Sequence, residues 1–203
     1  MATEAWVRLW GRKIGAVALG DGDDVASFEY EPAFADSGIE VSPLVMPLSD
    51  RVYSFPGLPR KTFYGLPGLL ADSLPDRFGN ALIDAWLATQ QRSPDSFNAV
   101  ERLGYTGRRG MGALEFSPVT GPRERKAKNI EVDKLVDLAS EILSRRNTLQ
   151  VSFADKRKQK AMADILRVGT SAGGARAKAL IAWNRQTNEV RSGQMDAGEG
   201  FEH

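Results

Sequence analysis

The chain has 203 residues, 42% of them hydrophobic and 26% charged, with 27 basic against 26 acidic side chains for a formal net charge of +1. That length supports one large or two small domains with a sizeable core, and the charge balance does not indicate a global attraction to nucleic acid. The absence of cysteine excludes disulfides, thiolate zinc sites and a cysteine nucleophile, and one histidine, His203, argues against imidazole metal sites and Ser–His chemistry.

The opening MATEAWVRLWGRK carries an early acid and alternating polarity, not the basic-then-apolar order of a leader peptide. Within it AWVRLW (residues 5–10) sets Trp6, Arg8 and Trp10 against Val7 and Leu9, a period of two that predicts a half-buried strand. Gly11–Arg12–Lys13 reads as a turn into a second strand, Ile14–Leu19, which Gly20–Asp21–Gly22 closes. Val25–Tyr30 offers a third strand. From 31 to 60, Pro32, Pro43, Pro47, Pro56 and Pro59 favour short strands and irregular turns over helix. The pattern predicts an antiparallel N-terminal sheet or small barrel.

After Pro59 the pattern becomes helical. In SLPDRFGNALIDAWLATQ, Ser73 is placed to cap a helix and Pro75 to fill its first turn, with Phe78, Leu82, Ile83 and Trp86 on one face. SPDSFNAVERLG predicts a shorter helix from Ser93 to Gly104, and GRRGMGALEF a glycine-rich turn feeding a strand, Ala113–Phe116. PVTGPRERKAKN has the proline, glycine and charge of a linker. The expected organisation is therefore a domain at 1–118, a linker at 119–128 and a second region at 129–203. In that region Val132, Leu135, Val136, Ala139, Ile142 and Leu143 make an amphipathic helix, and Ala154–Leu166 a second. The fold class is α+β.

Several features have plain structural readings. The clusters Arg123, Arg125, Lys126, Lys128 and Lys156, Arg157, Lys158, Lys160 lack interleaved aromatics and read as solvated linker and helix face rather than nucleic-acid patches. Trp6, Trp10, Trp86 and Trp183 fit core and sheet packing by periodicity. Arg108 and Arg109 fit a solvated loop, or an anionic partner. No apolar run, Ala179–Trp183 included, approaches the length of a membrane span, so neither a membrane nor an export route is expected and the compartment reads as cytoplasmic.

One stretch carries chemistry. VGTSAGGARAKA (168–179) precedes an apolar strand-like run, Ala177–Trp183. Small residues free backbone N–H groups to converge on an anion, and Arg176 and Lys178 add charge. Gly169 and Gly174 have the GxxxxG spacing, but Ala175 stands where a Walker A loop needs lysine, and a strand follows where a helix should. From the residues alone, a phosphate cradle and a mobile β-turn both stay open.

Read as TSAGGARAKALIAWN, the stretch resembles the Gly-rich loop of HipA-type serine/threonine kinases, the toxins of a bacterial toxin–antitoxin system. In that family a serine precedes a G-A-x-x-K run that leads into a strand; here Gly174, Ala175 and Lys178 supply the run and Ser171 the serine. FYGLPGLLADSLPDRFGNALI, RLGYTGRRGMGALEF and the opening WVRLWGRKIGAVAL are also similar to the family's segments, in family order. The resemblance implies that Ser171, Ala172, Gly173, Gly174 and Ala175 cover ATP phosphates, with Lys178 at the base of the next strand. It implies autophosphorylation at Ser171, with Thr170 as a competitor, as a switch in which added negative charge ejects the loop.

The same resemblance places an ATP-anchoring lysine, a catalytic-loop aspartate and asparagine, and a metal-binding aspartate beyond residue 203. No stretch in the chain reads as either aspartate motif, and the LPD and SPD sequences are better explained as helix starts. The chain is thus expected to be the N-terminal part of such a kinase and inactive alone, with no catalytic or metal residue of its own. The complete kinase would use ATP and Mg2+. Its implied partners are a helix-turn-helix antitoxin of HipB type, which alone would touch DNA, and a protein substrate in translation. An incomplete ATP lobe would expose a sheet edge and favour self-association. The alternative is a non-enzymatic regulatory subunit for a separate kinase core or antitoxin. A nucleic-acid-binding module is a third reading.

Overall fold

The computed structural model describes residues 3–110, 112–121, 180–193 and 197–202. The expected helices 132–143 and 154–166 and the loop 168–179 lie outside these residues. The chain divides into two compact units, residues 1–74 with 97–121 and residues 75–96 with 122–203.

The first unit is a five-stranded antiparallel sheet with short helices. Strands β1 (Thr3–Leu9), β2 (Arg12–Leu19), β3 (Ser27–Tyr30), β4 (Tyr53–Ser54) and β5 (Leu114–Ser117) lie in the order β4-β3-β2-β1-β5. Among the described residues the sheet is open, with β4 and β5 as its edges, and does not close into a barrel. The α+β expectation is met by this sheet and its helices.

Alternation decides which side chains enter the core. Ala5 and Val7 of β1 pair with Val17 and Gly15 of β2, and those pair in turn with Phe28 and Tyr30 of β3. Val7 also pairs with Phe116 of β5. All of these are buried, while Trp6, Arg8, Glu29 and Glu115 point to the other face. Ile14 is an extra residue: Val7 pairs with Gly15 and Arg8 with Lys13, so a bulge re-aims β2 and lets Ile14 enter the core fully buried. Gly15 has no side chain for a specific reason. A Cβ there would collide with the Glu29 carbonyl oxygen and stand 2.7 Å from Phe28 Cζ.

The β1–β2 connection differs from the expectation. Leu9 pairs with Arg12, leaving Trp10 and Gly11 as a two-residue loop with φ of 51° and 77°. Two positive φ angles in such a loop match a type I′ turn, whose twist suits adjacent antiparallel strands. Trp10 therefore ends the strand instead of extending it, and it is 80% exposed instead of packed.

The proline-rich segment is mostly irregular, as expected, but contains one-turn helices. Helix α1 (Pro32–Ala35) has proline in its first turn, where no helical amide bond is lost, and α2 (Arg60–Phe63) and α3 (Gly68–Ala71) follow. The intervening loop is held by tyrosines. Tyr30 Oη donates to the Met46 carbonyl at 2.8 Å, Tyr53 Oη donates to that of Pro47, and the two rings meet edge to face at 6.0 Å.

The expected helix from Ser93 is two pieces. Pro94–Ser96 forms a single 3-10 turn in the second unit, and a new helix runs over Ala99–Thr106 in the first. Its start is set by a capping box: Asn98 Oδ1 accepts from Glu101 N at 2.9 Å and Glu101 Oε2 from Asn98 N at 2.8 Å. This helix does not stop at Gly104; it ends at Gly107, whose φ of 55° breaks it. Val100 and Leu103 face the sheet core.

In the second unit the long helix (Arg77–Thr89) starts one turn later than expected, with Asp76 and not Ser73 as cap. Ser73 instead closes the end of α3, its N–H donating to the Leu70 carbonyl, and Asp76 Oδ1 accepts from Gly79 N at 2.9 Å. In chain order these two helices are α4 (Arg77–Thr89) and α5 (Ala99–Thr106). Phe78, Leu82 and Ile83 of α4 are buried as the spacing predicts, and Trp86 is half-buried. A separate antiparallel pair, β6 (Ile181–Asn184) and β7 (Glu189–Ser192), follows in the chain, so a strand does occupy the end of the expected Ala177–Trp183 run.

Candidate functional site

The expected phosphate-loop residues Ser171, Ala172, Gly173, Gly174, Ala175 and Lys178 all lie outside the described residues. The strand that follows them is described. Trp183, 39% exposed, has Nε1 donating to Asn188 Oδ1 at 3.2 Å, and its backbone N–H bonds the Glu202 carbonyl at 2.8 Å. Arg185 lies 5.4 Å from its ring centroid and pairs with Glu202 at 2.9 Å.

Among the described residues, polar chemistry gathers on the outer face of the sheet and at its β1–β2 end. Period-two alternation puts Glu4, Trp6 and Arg8 on that face. Lys13 Nζ sits 3.5 Å from the Trp6 ring centroid and 2.6 Å from Glu31 Oε2, so one ammonium serves both a ring face and a carboxylate. Arg12 Nη2 donates to the Ala33 carbonyl at 3.0 Å and covers the Phe34 ring.

Arg8 and Glu115 are cross-strand neighbours. The Arg8 guanidinium donates to the Gly11 carbonyl at 3.0 Å, while Glu115 pairs with Arg108 at 3.1 Å. Together with Gly11, Phe116 and Val119 these three side chains line a cleft of about 220 Å³. Two guanidiniums and one carboxylate line it, and that carboxylate pairs with Arg108, so the cleft carries a net positive charge.

The two arginines of TGRRGMG have opposite fates. Arg108 has a side chain 75% exposed, in keeping with a solvated loop. Arg109 does not fit that reading: it is only 9% exposed, its guanidinium lies 4.8 Å from the Tyr105 ring centroid, and Nη2 donates to the Tyr105 carbonyl. Burial pushes the Tyr105 phenol up to about 12, against the opposing pull of Arg109. Nothing in the adjacent letters RR separates these roles. Trp10 was equally concealed, because the favoured residue before glycine in such a turn is asparagine or aspartate.

Among the described residues no group of three or more His, Cys, Asp or Glu side chains is placed to hold a metal ion, and no helix is long and apolar enough to cross a membrane. The arrangement offers recognition: an exposed indole, two arginines lining one cleft, and a carboxylate paired with one of them.

Comparison with curated proteins gives no match. A family model does match, and over the segment that builds the sheet: residues 5–117, described as the HipA N-terminal domain, run from β1 to the last residue of β5. That match covers more than half of the chain. It agrees with the resemblance of the opening hairpin and of the RLGYTGRRGMGALEF segment, both of which lie within it. The chain belongs to the HipA N-terminal domain family and is a HipA-type protein.

Proposed function

We propose that this chain is the N-terminal part of a HipA-like serine/threonine kinase, contributing the Gly-rich loop over ATP phosphates and surfaces for an antitoxin or regulatory partner. The observation that carries the reading is the family match over 5–117, joined in the same chain to the loop TSAGGARAK. Backbone amides of Ser171, Ala172, Gly173, Gly174 and Ala175 would meet phosphate oxygens, and Lys178 would stand at the base of the next strand. ATP with Mg2+ supplies the phosphoryl group. What this chain adds is positioning and charge neutralisation, which is most of what phosphoryl transfer requires of a protein. Ser171 is the proposed self-modification site, with Thr170 beside it, and its two added charges would repel the phosphates that the loop holds.

Residues 1–118 would form the family domain, 119–128 a linker, and 129–203 the helices and first strands of the ATP lobe. Kinase-type partners follow on the same reading: a helix-turn-helix antitoxin and a protein substrate in translation, in the cytoplasm. The 203 residues alone are proposed not to transfer phosphate. Incubation with Mg-ATP of a form extended through the catalytic aspartates, followed by peptide mass mapping, is the test. Phosphate on Ser171 or Thr170 is expected, and its absence from both overturns the loop assignment. Calorimetric titration of the 203-residue chain should show no micromolar affinity for Mg-ATP.

A regulatory subunit serving a separate kinase core is the second reading. It is favoured by the first unit closing its own core, since Val7, Val17, Phe28, Leu103 and Phe116 form one buried cluster inside the matched segment. A reading frame continuing past residue 203 into an Asp-containing catalytic loop favours the kinase, and a stop codon there the subunit.

A further inference from the structure

The β1–β2 turn puts a tryptophan where the backbone favours asparagine or glycine. At φ of 51° the side chain crowds its own backbone, most of all when it is bulky. With 80% of its surface in water, the indole returns nothing to the core. Among the described residues its ring makes no hydrogen bond and no stacking or cation contact. Folding alone gives no reason for Trp10 at this position.

Its surroundings give one. Gly11, next in sequence, lines the cleft of about 220 Å³ with Arg8 and Arg108. The cleft holds a single carboxylate, Glu115, which pairs with Arg108, so one positive charge, that of Arg8, stays in excess. Arg8 is held at the rim by its bond to the Gly11 carbonyl at 3.0 Å, which fixes its position relative to the turn. Arg108 remains mostly exposed beyond its pair with Glu115. An exposed indole in the turn whose Gly11 lines the same cleft as two guanidiniums has the composition of an interface hot spot.

We infer that this end of the sheet docks a segment of a partner protein bearing an aspartate or glutamate next to an apolar residue, with Trp10 as apolar anchor and Arg8 and Arg108 taking the carboxylate. Charge selects this occupant. A nucleic-acid backbone would bring a row of phosphates past Glu115 and the exposed Glu4 of the same face, and the other cations at this end are already engaged, Arg12 with the Ala33 carbonyl and Lys13 with Glu31. A second copy of the chain meeting this surface symmetrically would bring two net-positive clefts together. The inference rests on the regulatory-surface part of the reading above and not on its phosphate loop, so Ser171 mapping and the test below fail separately.

The full chain is panned against a phage-displayed library of random nonapeptides. Enriched peptides are resynthesised with a fluorophore and titrated by anisotropy against wild type, Trp10→Asn and Arg108→Ala. Enriched sequences should carry Asp or Glu beside an apolar residue, and each variant should weaken them about tenfold, as loss of a hot-spot side chain does. Trp10→Asn creates the pair a type I′ turn prefers, so its melting temperature should rise by about 2–4 °C while binding weakens, which separates docking from unfolding. No enrichment, enrichment without acidic residues, or affinity left unchanged by either variant overturns the inference. So does retention of duplex DNA, or a dimer in light scattering, that both variants abolish.

Discussion

Arg109 covers the ring of Tyr105, one helical turn earlier, with its guanidinium carbon 4.8 Å from the ring centroid, and donates to the Tyr105 carbonyl as α5 ends. The arginine thus serves both as a C-terminal cap and as a lid on a buried phenol. Its removal leaves a helix-end carbonyl short of a donor and opens space over the ring. Arg109→Met should lower stability by about 2–3 kcal/mol. Arg108→Met removes only an exposed pair with Glu115 and should cost less than about 1 kcal/mol. Urea denaturation of the two variants checks the contrast, and equal midpoints would refute it.

Alkaline pH probes the same region. Burial pushes Tyr105 up to about 12, opposed by Arg109, and burial with nearby Tyr53 and Glu40 pushes Tyr30 up to about 12. An unfolded chain ionises these phenols near 10. Between those values the unfolded state sheds protons that the folded state keeps, so stability falls as pH rises. The stabilisation is complete below about pH 10 and is lost on approach to about pH 12. Melting temperature followed across that window should fall, and the fall should be shallower in Tyr105→Phe. Identical slopes for the variant and wild type would remove Tyr105 from the account.

The cap of α5 also reaches the sheet. Besides closing the box with Glu101, Asn98 donates from Nδ2 to Thr3 Oγ1 at 2.8 Å, which ties the helix start to the first residue of β1. Asn98→Ala loses both bonds and should cost about 1–2 kcal/mol. Glu101→Gln keeps an acceptor for Asn98 N and should cost under about 0.5 kcal/mol. Circular dichroism melts of the pair would expose the idea as wrong if Glu101→Gln proved the worse.

Gly15 leaves no room for a side chain in the sheet. An added methyl meets the Glu29 backbone oxygen and the Phe28 ring, and the backbone of β3 can retreat only by disturbing its ladder. Gly15→Ala should therefore destabilise by about 2–3 kcal/mol or more. Gly57→Ala, with open space where the Cβ would go, should change little. Guanidinium titration of both variants decides, and a harmless Gly15→Ala would show that the sheet yields more easily than close packing allows.

Much of this protein could be read locally. Alternation over residues 5–9 and 14–19 announces β1 and β2, because a strand with one wet face leaves that period in its own letters. The spacing of Phe78, Leu82 and Ile83 announces α4 for the corresponding helical reason. Motif order pointed to the family before any geometry, and the match over 5–117 supports it. The phosphate-loop reading came from motif similarity and concerns residues outside those described.

Other features depended on where distant segments meet. β1 lies between β2 and β5, and β5 begins more than a hundred residues after β1. Capping passed from Ser73 to Asp76, whose Oδ1 accepts from Gly79 N, while the Ser73 N–H closes the end of α3 on the Leu70 carbonyl. Trp10 was displaced from strand to turn by the pairing of Leu9 with Arg12, a register that the bulge at Ile14 helps to set. Adjacent arginines with the same letter became one surface ion pair and one buried cap. Periodicity and turn chemistry act over a few residues and are written in the sequence itself. Register, burial and the surroundings of a single side chain arise from contacts between segments far apart in the chain, and only the tertiary structure decided them.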